Sequence, residues 1–139
     1  MLLHVIARGK IGRSPEAELV ERYLKRISWP TKLTELSERA PLPAAPSGSV
    51  TALLDEKGKA LSSIELARQL ETWRDRGTRE ARFVIGAADG HSASERQGAE
   101  LLLSFGPATW PHLLVRSMLA EQLFRATSIL ANHPYHREG

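Results

Sequence analysis

The residues with the greatest chemical potential lie at the end of the chain. His133-Pro134-Tyr135-His136-Arg137 gathers two imidazoles, a phenol and a guanidinium into five positions. An imidazole moves protons near neutral pH. A tyrosine ring stacks on a nucleobase, and a guanidinium clamps phosphate. A chain terminus is also where fraying concentrates, so residue types alone leave this tail open between a working segment and a loose end. A second candidate is Phe105-Gly106-Pro107-Ala108-Thr109-Trp110-Pro111, which carries no charge. Such a loop offers backbone donors and acceptors beside apolar walls, the surroundings an adenine needs. It is equally suited to be a rigid connector. A third is Val84-Ile85-Gly86-Ala87-Ala88-Asp89-Gly90. Glycine lets a ligand approach the backbone closely, yet the pattern is neither the dinucleotide fingerprint nor the phosphate-binding P-loop. By itself it also reads as an ordinary strand-to-helix turn.

Other chemistries find little support. The chain has no cysteine, which excludes disulfides, thiolate metal sites and cysteine nucleophiles. His133 and His136 lie near one another without an acidic cluster, so no metal is expected. A serine hydrolase would want G-x-S-x-G, and none is present.

These candidates need elements to hold them. Leu2 to Ala7 reads as a buried strand ending at Arg8-Gly9-Lys10. Ser14-Pro15-Glu16 opens a helix, and Leu19, Val20, Tyr23, Leu24 and Ile27 follow at helical spacing until Pro30. Thr31 to Ser37 is a half-buried strand, and the proline-rich stretch Ala40 to Gly48 is a loop. Val50 to Leu54 is a strand ended by Asp55-Glu56-Lys57-Gly58. Ser62-Ser63-Ile64-Glu65 is a capping box, whose helix runs toward Gly77. Ala81 to Ile85 is a fourth strand. Ser92 to Glu95 caps a short helix, and Glu100 to Phe105 is a fifth strand. Leu113 to Ala131 is the longest helix, apolar over most of its circumference. Burial in one core and a subunit interface both account for that. Strands alternating with helices predict an α/β fold with a mostly parallel sheet. Its ligand crevice is expected beyond Leu54, Ile85 and Phe105, at the carboxyl ends of the strands.

Length and composition set the frame. With 139 residues, the chain suits a single domain over 1–139. Its net charge of +3 points weakly to an anionic partner. No apolar run approaches membrane-helix length and the N-terminus lacks signal-peptide character. A soluble, cytoplasmic protein without a membrane partner is therefore expected.

Four segments together carry a resemblance. LLDEKGKALSS (Leu53 to Ser63), FVIGAADG (Phe83 to Gly90), LSFGPATWPHLLVR (Leu103 to Arg116) and NHPYHRE (Asn132 to Glu138) resemble the RlmH-type SPOUT methyltransferases. That family methylates N3 of a pseudouridine in 23S ribosomal RNA. The resemblance covers nearly the whole chain, and its last two segments are specific in order and spacing. It implies a three-layer α/β sandwich with a C-terminal trefoil knot. It implies S-adenosyl-L-methionine held by Leu54, Gly86, Phe105, Gly106, Pro107, Ala108, Thr109 and Trp110. It further implies a homodimer in which one subunit's tail completes the other's site, acting on the large subunit or the 70S ribosome. His136 is then expected as the proton acceptor or its organiser, Tyr135 as the base-positioning residue and Arg137 as a phosphate contact. His112 and Arg116, beside the cofactor loop, are second-line candidates.

The chain departs from the family where Gly86-Ala87 replaces a double glycine, and where the Ala40 to Gly48 loop is shorter than the helical segment expected. An alternative reading is a non-enzymatic RNA- or ribosome-binding α/β protein with a degenerate cofactor pocket. S-adenosylmethionine binding discriminates the two. A flavodoxin-like nucleotide binder fits the coarse pattern but explains neither the Phe105 to Pro111 loop nor the tail.

Overall fold

A computed structural model describes residues 1–86 and 90–137. Among them are five strands and four helices: β1 (Leu2–Arg8), α1 (Pro15–Arg26), β2 (Thr31–Leu36), β3 (Ser49–Ala60), α2 (Ser63–Asp75), β4 (Glu80–Ile85), α3 (Ala93–Gln97), β5 (Leu101–Ser104) and α4 (His112–Leu130). The strands form one sheet in the order β2-β1-β4-β3-β5, and every pairing is parallel. All carboxyl ends therefore lie along one edge.

The helices begin where their caps dictate. The Ser14 hydroxyl accepts the Ala17 N–H at 3.1 Å, with Pro15 at the start of α1. Ser62 with Glu65, and Ser92 with Glu95, make reciprocal capping boxes for α2 and α3. The capping pattern therefore located even the five-residue α3.

The two sheet faces are covered unequally. Leu3, Val5, Ala7, Phe83 and Ile85 face a core closed by Leu66, Leu70 and Trp73 of α2 and Leu119, Leu123 and Phe124 of α4. Helix α4 is packed against both α1 and α2, so most of its apolar circumference is spent within the chain. The opposite face has a small core of Ile6, Leu53 and Val84, with Leu36, Leu42, Ala99 and Leu102 against it. That third layer is thin. The proline-rich segment between β2 and β3 crosses it, tethered where Arg82 Nη1 donates to the Pro43 carbonyl at 2.7 Å. Nearby, His4 Nδ1–H donates to Glu80 at 3.0 Å and Nε2 accepts the Thr34 hydroxyl at 2.6 Å. This chain-lined polar seam satisfies groups that burial would otherwise leave costly.

One boundary differs from the expectation. The strand predicted to stop at Leu54 continues to Ala60. Leu54 and Lys59 both pair with Leu103, and the register shifts between them. The Asp55-Glu56-Lys57-Gly58 segment is thus a bulge within the strand instead of its terminating turn. A Cβ on Gly58 would lie 2.6 Å from the Leu102 carbonyl atoms, so only glycine admits this approach.

Arg116 provides a buried internal tie. Its side chain is 1% exposed. Nη1 pairs with Glu35 of β2, and Nη2 donates to the Gly9 carbonyl at 3.1 Å. Burial resists ionisation of Glu35, but the Ile11 N–H and Arg116 outweigh it and hold its carboxyl below the usual range. The sign follows: the contribution is complete above the unfolded glutamate value of about 4.3. It is lost as pH falls through the lower native value. Glu35→Gln strands a buried charge and should cost roughly 3 kcal/mol at neutral pH. Urea unfolding of both proteins across pH 3 to 7 checks this; an unchanged acid limb in the variant would remove Glu35 from the account.

Candidate functional site

The carboxyl edge of the sheet opens into a cleft of about 600 Å³. Its walls come from the bulge of β3, the end of β4, the segment after β5 and the first turn of α4. Leu54, Gly86, Phe105, Gly106, Ala108, Thr109 and Trp110 all line it. The structure therefore brings together seven of the eight cofactor-binding candidates; Pro107 is not part of the lining. Ala87 lies outside the described residues, so the departure at the second glycine gains no structural account.

Local hydrogen bonds explain how an irregular loop holds one shape. Ser104 Oγ accepts the Gly106 N–H at 3.0 Å and lies 2.8 Å from the Gly106 carbonyl. Gly106 has φ +106, a conformation that side chains rarely adopt. The Thr109 hydroxyl donates to Glu56 at 3.1 Å, joining the loop to the β3 bulge. His91 Nε2–H donates to the Leu54 carbonyl at 2.8 Å, and a Cβ on Gly86 would come 3.1 Å from that imidazole. His91 thus fills the gap between two of the candidate cofactor segments. Asp55 pairs with Arg96 at the rim.

The lining is apolar at Leu54, Ile85, Leu103, Phe105 and Val115, with the carboxylates of Asp55 and Glu56 at its edge. The volume lies within the ordinary small-ligand range of about 300–1,000 Å³. Apolar walls for a nucleoside and nearby carboxylates for a cationic group fit S-adenosylmethionine. His91, Arg96, Asp55 and Glu56 were not among the sequence candidates. The available signal for Asp55, Glu56 and His91 was their position shortly after Leu54 and Ile85, in segments already marked as crevice loops; Arg96, within α3, carried no such signal.

The other candidates are distributed differently. His112 lines the cleft, whereas Arg116 does not and is occupied by its buried ion pair. The tail lies at the other end of α4. Tyr135 packs edge-on against Phe124 with ring centres 4.6 Å apart, and His136 meets Arg125 at 3.1 Å. Arg137 is exposed. Val115 in the cleft wall and Phe124 under the tail are nine residues apart, about 14 Å along the helix axis. One chain therefore separates its cleft from its tail. No group of three possible metal ligands gathers among the described residues, and no helix there is long and apolar enough to cross a membrane.

The fold and cleft define a parallel α/β protein with a nucleoside-sized site at its carboxyl edge. Residues 1–136 match the family described as Predicted SPOUT methyltransferase, and the chain belongs to the SPOUT methyltransferases. It is 69% identical to a protein of Erythrobacter litoralis, over 100% of both chains. It is 64% identical to one of Sphingopyxis alaskensis, covering 100% of this chain and 99% of the other. It is 59% identical to one of Zymomonas mobilis, again over 100% of both. Each is named Ribosomal RNA large subunit methyltransferase H. Family membership brings a methyl donor of the S-adenosylmethionine type.

Two substitutions test the cleft. Gly106→Val forces a branched side chain onto a left-handed backbone and should weaken S-adenosylmethionine binding about tenfold or more, with little loss of fold. Calorimetric titration measures it; equal affinity would place the cofactor elsewhere. Gly58→Ala should lower both stability, by about 2–3 kcal/mol, and cofactor affinity, because the bulge must move away from Leu102.

Proposed function

We propose that this chain methylates N3 of a pseudouridine in 23S ribosomal RNA, as a homodimer acting on the assembled ribosome in the cytoplasm. The observation that carries the reading is end-to-end likeness to relatives named for large-subunit ribosomal RNA methylation. The reading takes 1–139 as one domain with the trefoil knot that the family's fold implies.

Leu54, Gly86 and the Phe105 to Trp110 stretch would hold S-adenosylmethionine, with His91 supporting the first two segments. The bound cofactor supplies an electrophilic methyl group on a sulfonium sulfur. The residues of the chain supply alignment and handling of the imino proton. Rigid placement of the loop by Ser104 and Glu56 supports that role, because pre-set geometry removes much of the entropic barrier to a two-component reaction.

Tyr135, His136 and Arg137 would engage the RNA, with Tyr135 positioning the base and Arg137 on phosphate. The distance between cleft and tail in one chain supports a site shared across a dimer. Residue chemistry agrees, since Arg137 close to the sulfonium would repel it. Trp110 and Leu114, both large and exposed, provide apolar surface beside the cleft for a second subunit.

Labelled methyl transfer to 70S ribosomes and to free ribosomal RNA, with the product nucleotide identified, tests the function. Cofactor binding without transfer to either RNA would favour the non-enzymatic binder. Deleting residues 135–139 should abolish transfer and spare cofactor affinity. Mixing that deletion with Gly106→Val subunits should restore one working site per heterodimer. If the mixture stays inactive although heterodimers form, the site is not shared.

A further inference from the structure

The end of α1 and the tail rest on one aromatic support. Phe124 of α4 takes the Tyr135 ring edge-on at 4.6 Å and lies 6.1 Å from the Tyr23 ring of α1. The Arg26 guanidinium carbon sits 5.2 Å from the centre of the same Phe124 ring. The Arg26 head and the Tyr135 ring are therefore held one aromatic ring apart. Arg22 stands one turn before Arg26, at the i, i+4 spacing that puts both on one helix face. Arg22, Arg26 and Arg137 are all exposed.

The fold by itself gives these charges little to do. Lys25 is paired with Glu21 at 2.7 Å and Arg125 with Glu121 at 2.6 Å. Among the described residues no carboxylate lies within ion-pair distance of Arg22, Arg26 or Arg137. The negative end of the α1 dipole favours cations in its last turn, where Lys25 and Arg26 lie. Arg22 is one turn too early for that, and like charges at i, i+4 disfavour a helix. An arginine resting on an aromatic ring still presents its fork of donors to a planar or tetrahedral anion.

We infer that the end of α1 is part of the RNA-binding surface, where Arg22 and Arg26 contact phosphates of the rRNA backbone beside the nucleotide that the tail engages. The inference rests on the rRNA-methylation reading and extends its RNA contacts from the tail to α1. Helix and tail belong to one subunit and share one support, so they meet the RNA together whichever subunit's cleft they serve. Phosphate contacts fix register and orientation and carry no base information. They would hold the strand while the tail handles one base. Exposed guanidiniums flanking an aromatic ring suit a strand of regularly spaced phosphates with a base to stack.

The test measures binding of the full-length protein to 70S ribosomes and to free 23S rRNA across roughly 50–200 mM salt. Arg22→Gln and Arg26→Gln should each weaken binding about five- to tenfold near physiological salt. Each should flatten the plot of log affinity against log salt by about 0.7–1, and the double variant by about twice that. The loss should appear in KM for ribosomes and not in affinity for S-adenosylmethionine. Arg26→Lys keeps the charge and should keep the slope. Lys32→Gln is the control. Lys32 is exposed and pairs beside His4 on the sheet face away from α1, so its loss should change neither slope nor affinity. Arg22→Glu should weaken binding more than Arg22→Gln, and it decides the question if Arg26→Gln does not fold. A lower melting temperature with an unaltered slope makes Arg26 a packing residue only. A double variant that binds as Lys32→Gln does overturns the inference. Deleting residues 135–139 separates this failure from that of the parent reading. If the deletion abolishes transfer while the double variant binds and methylates normally, the tail reading stands and the α1 surface is wrong. If wild type binds neither RNA, both fall.

Discussion

The Arg116 guanidinium sits inside the protein, against Glu35 and the carbonyl groups that end β1. An ion buried this far must be paired, because an uncompensated charge in the interior is severely destabilising. The requirement has geometric consequences. It fixes the first turns of α4 against the carboxyl ends of β1 and β2. That turn also carries His112 and Val115 into the cleft wall. The loop entering it is anchored at its other end by Ser104. A charge-free loop with a positive-φ glycine can keep one conformation only because both ends are held. Even so, the Nε atom of Arg116 remains without a partner among the described residues, a polarity cost accepted at the junction.

From that anchor the remaining walls follow. Parallel pairing brings the ends of β3, β4 and β5 to one edge, where a cleft can be lined by loops from separate parts of the chain. The bulge of β3 then pushes Asp55 and Glu56 to the rim. Gly58 makes this possible by allowing β3 to return against the Leu102 backbone. His91 and Thr109 connect the neighbouring walls through single hydrogen bonds. The cleft is therefore a set of short cross-braces on a rigid sheet, the arrangement that gives binding loops their precision.

At the other end of α4 a different set of contacts organises the tail. Phe124, Arg125 and Tyr23 gather Tyr135 and His136 into a packed group, so these two side chains have defined neighbours. Helix α4 carries the cleft loop at its start and the tail at its end, and its length holds the two apart.

Much of this was legible in the residues themselves, for identifiable reasons. Caps, prolines and apolar periodicity are local signals, so Ser14, Ser62 and Ser92 marked helix starts correctly. The quoted segments from Leu53 to Glu138 indicated the family because their residue types and order are specific. The sequence could not show that β3 passes through Asp55 to Gly58, because turn-forming residues look alike in a turn and in a bulge. Only the pairing of Lys59 with Leu103 separates them. Nor did it show that Arg116 braces the interior while His112 faces the cleft, since both are polar residues at the start of one helix. The apolar circumference of α4 likewise left open whether subunits or neighbouring helices cover it, and packing by α1 and α2 accounts for most of it. Local chemistry thus determined the elements and the candidate loops. Which side chains meet was decided by tertiary packing, because contacts such as Arg116 with Glu35 join residues far apart in the chain.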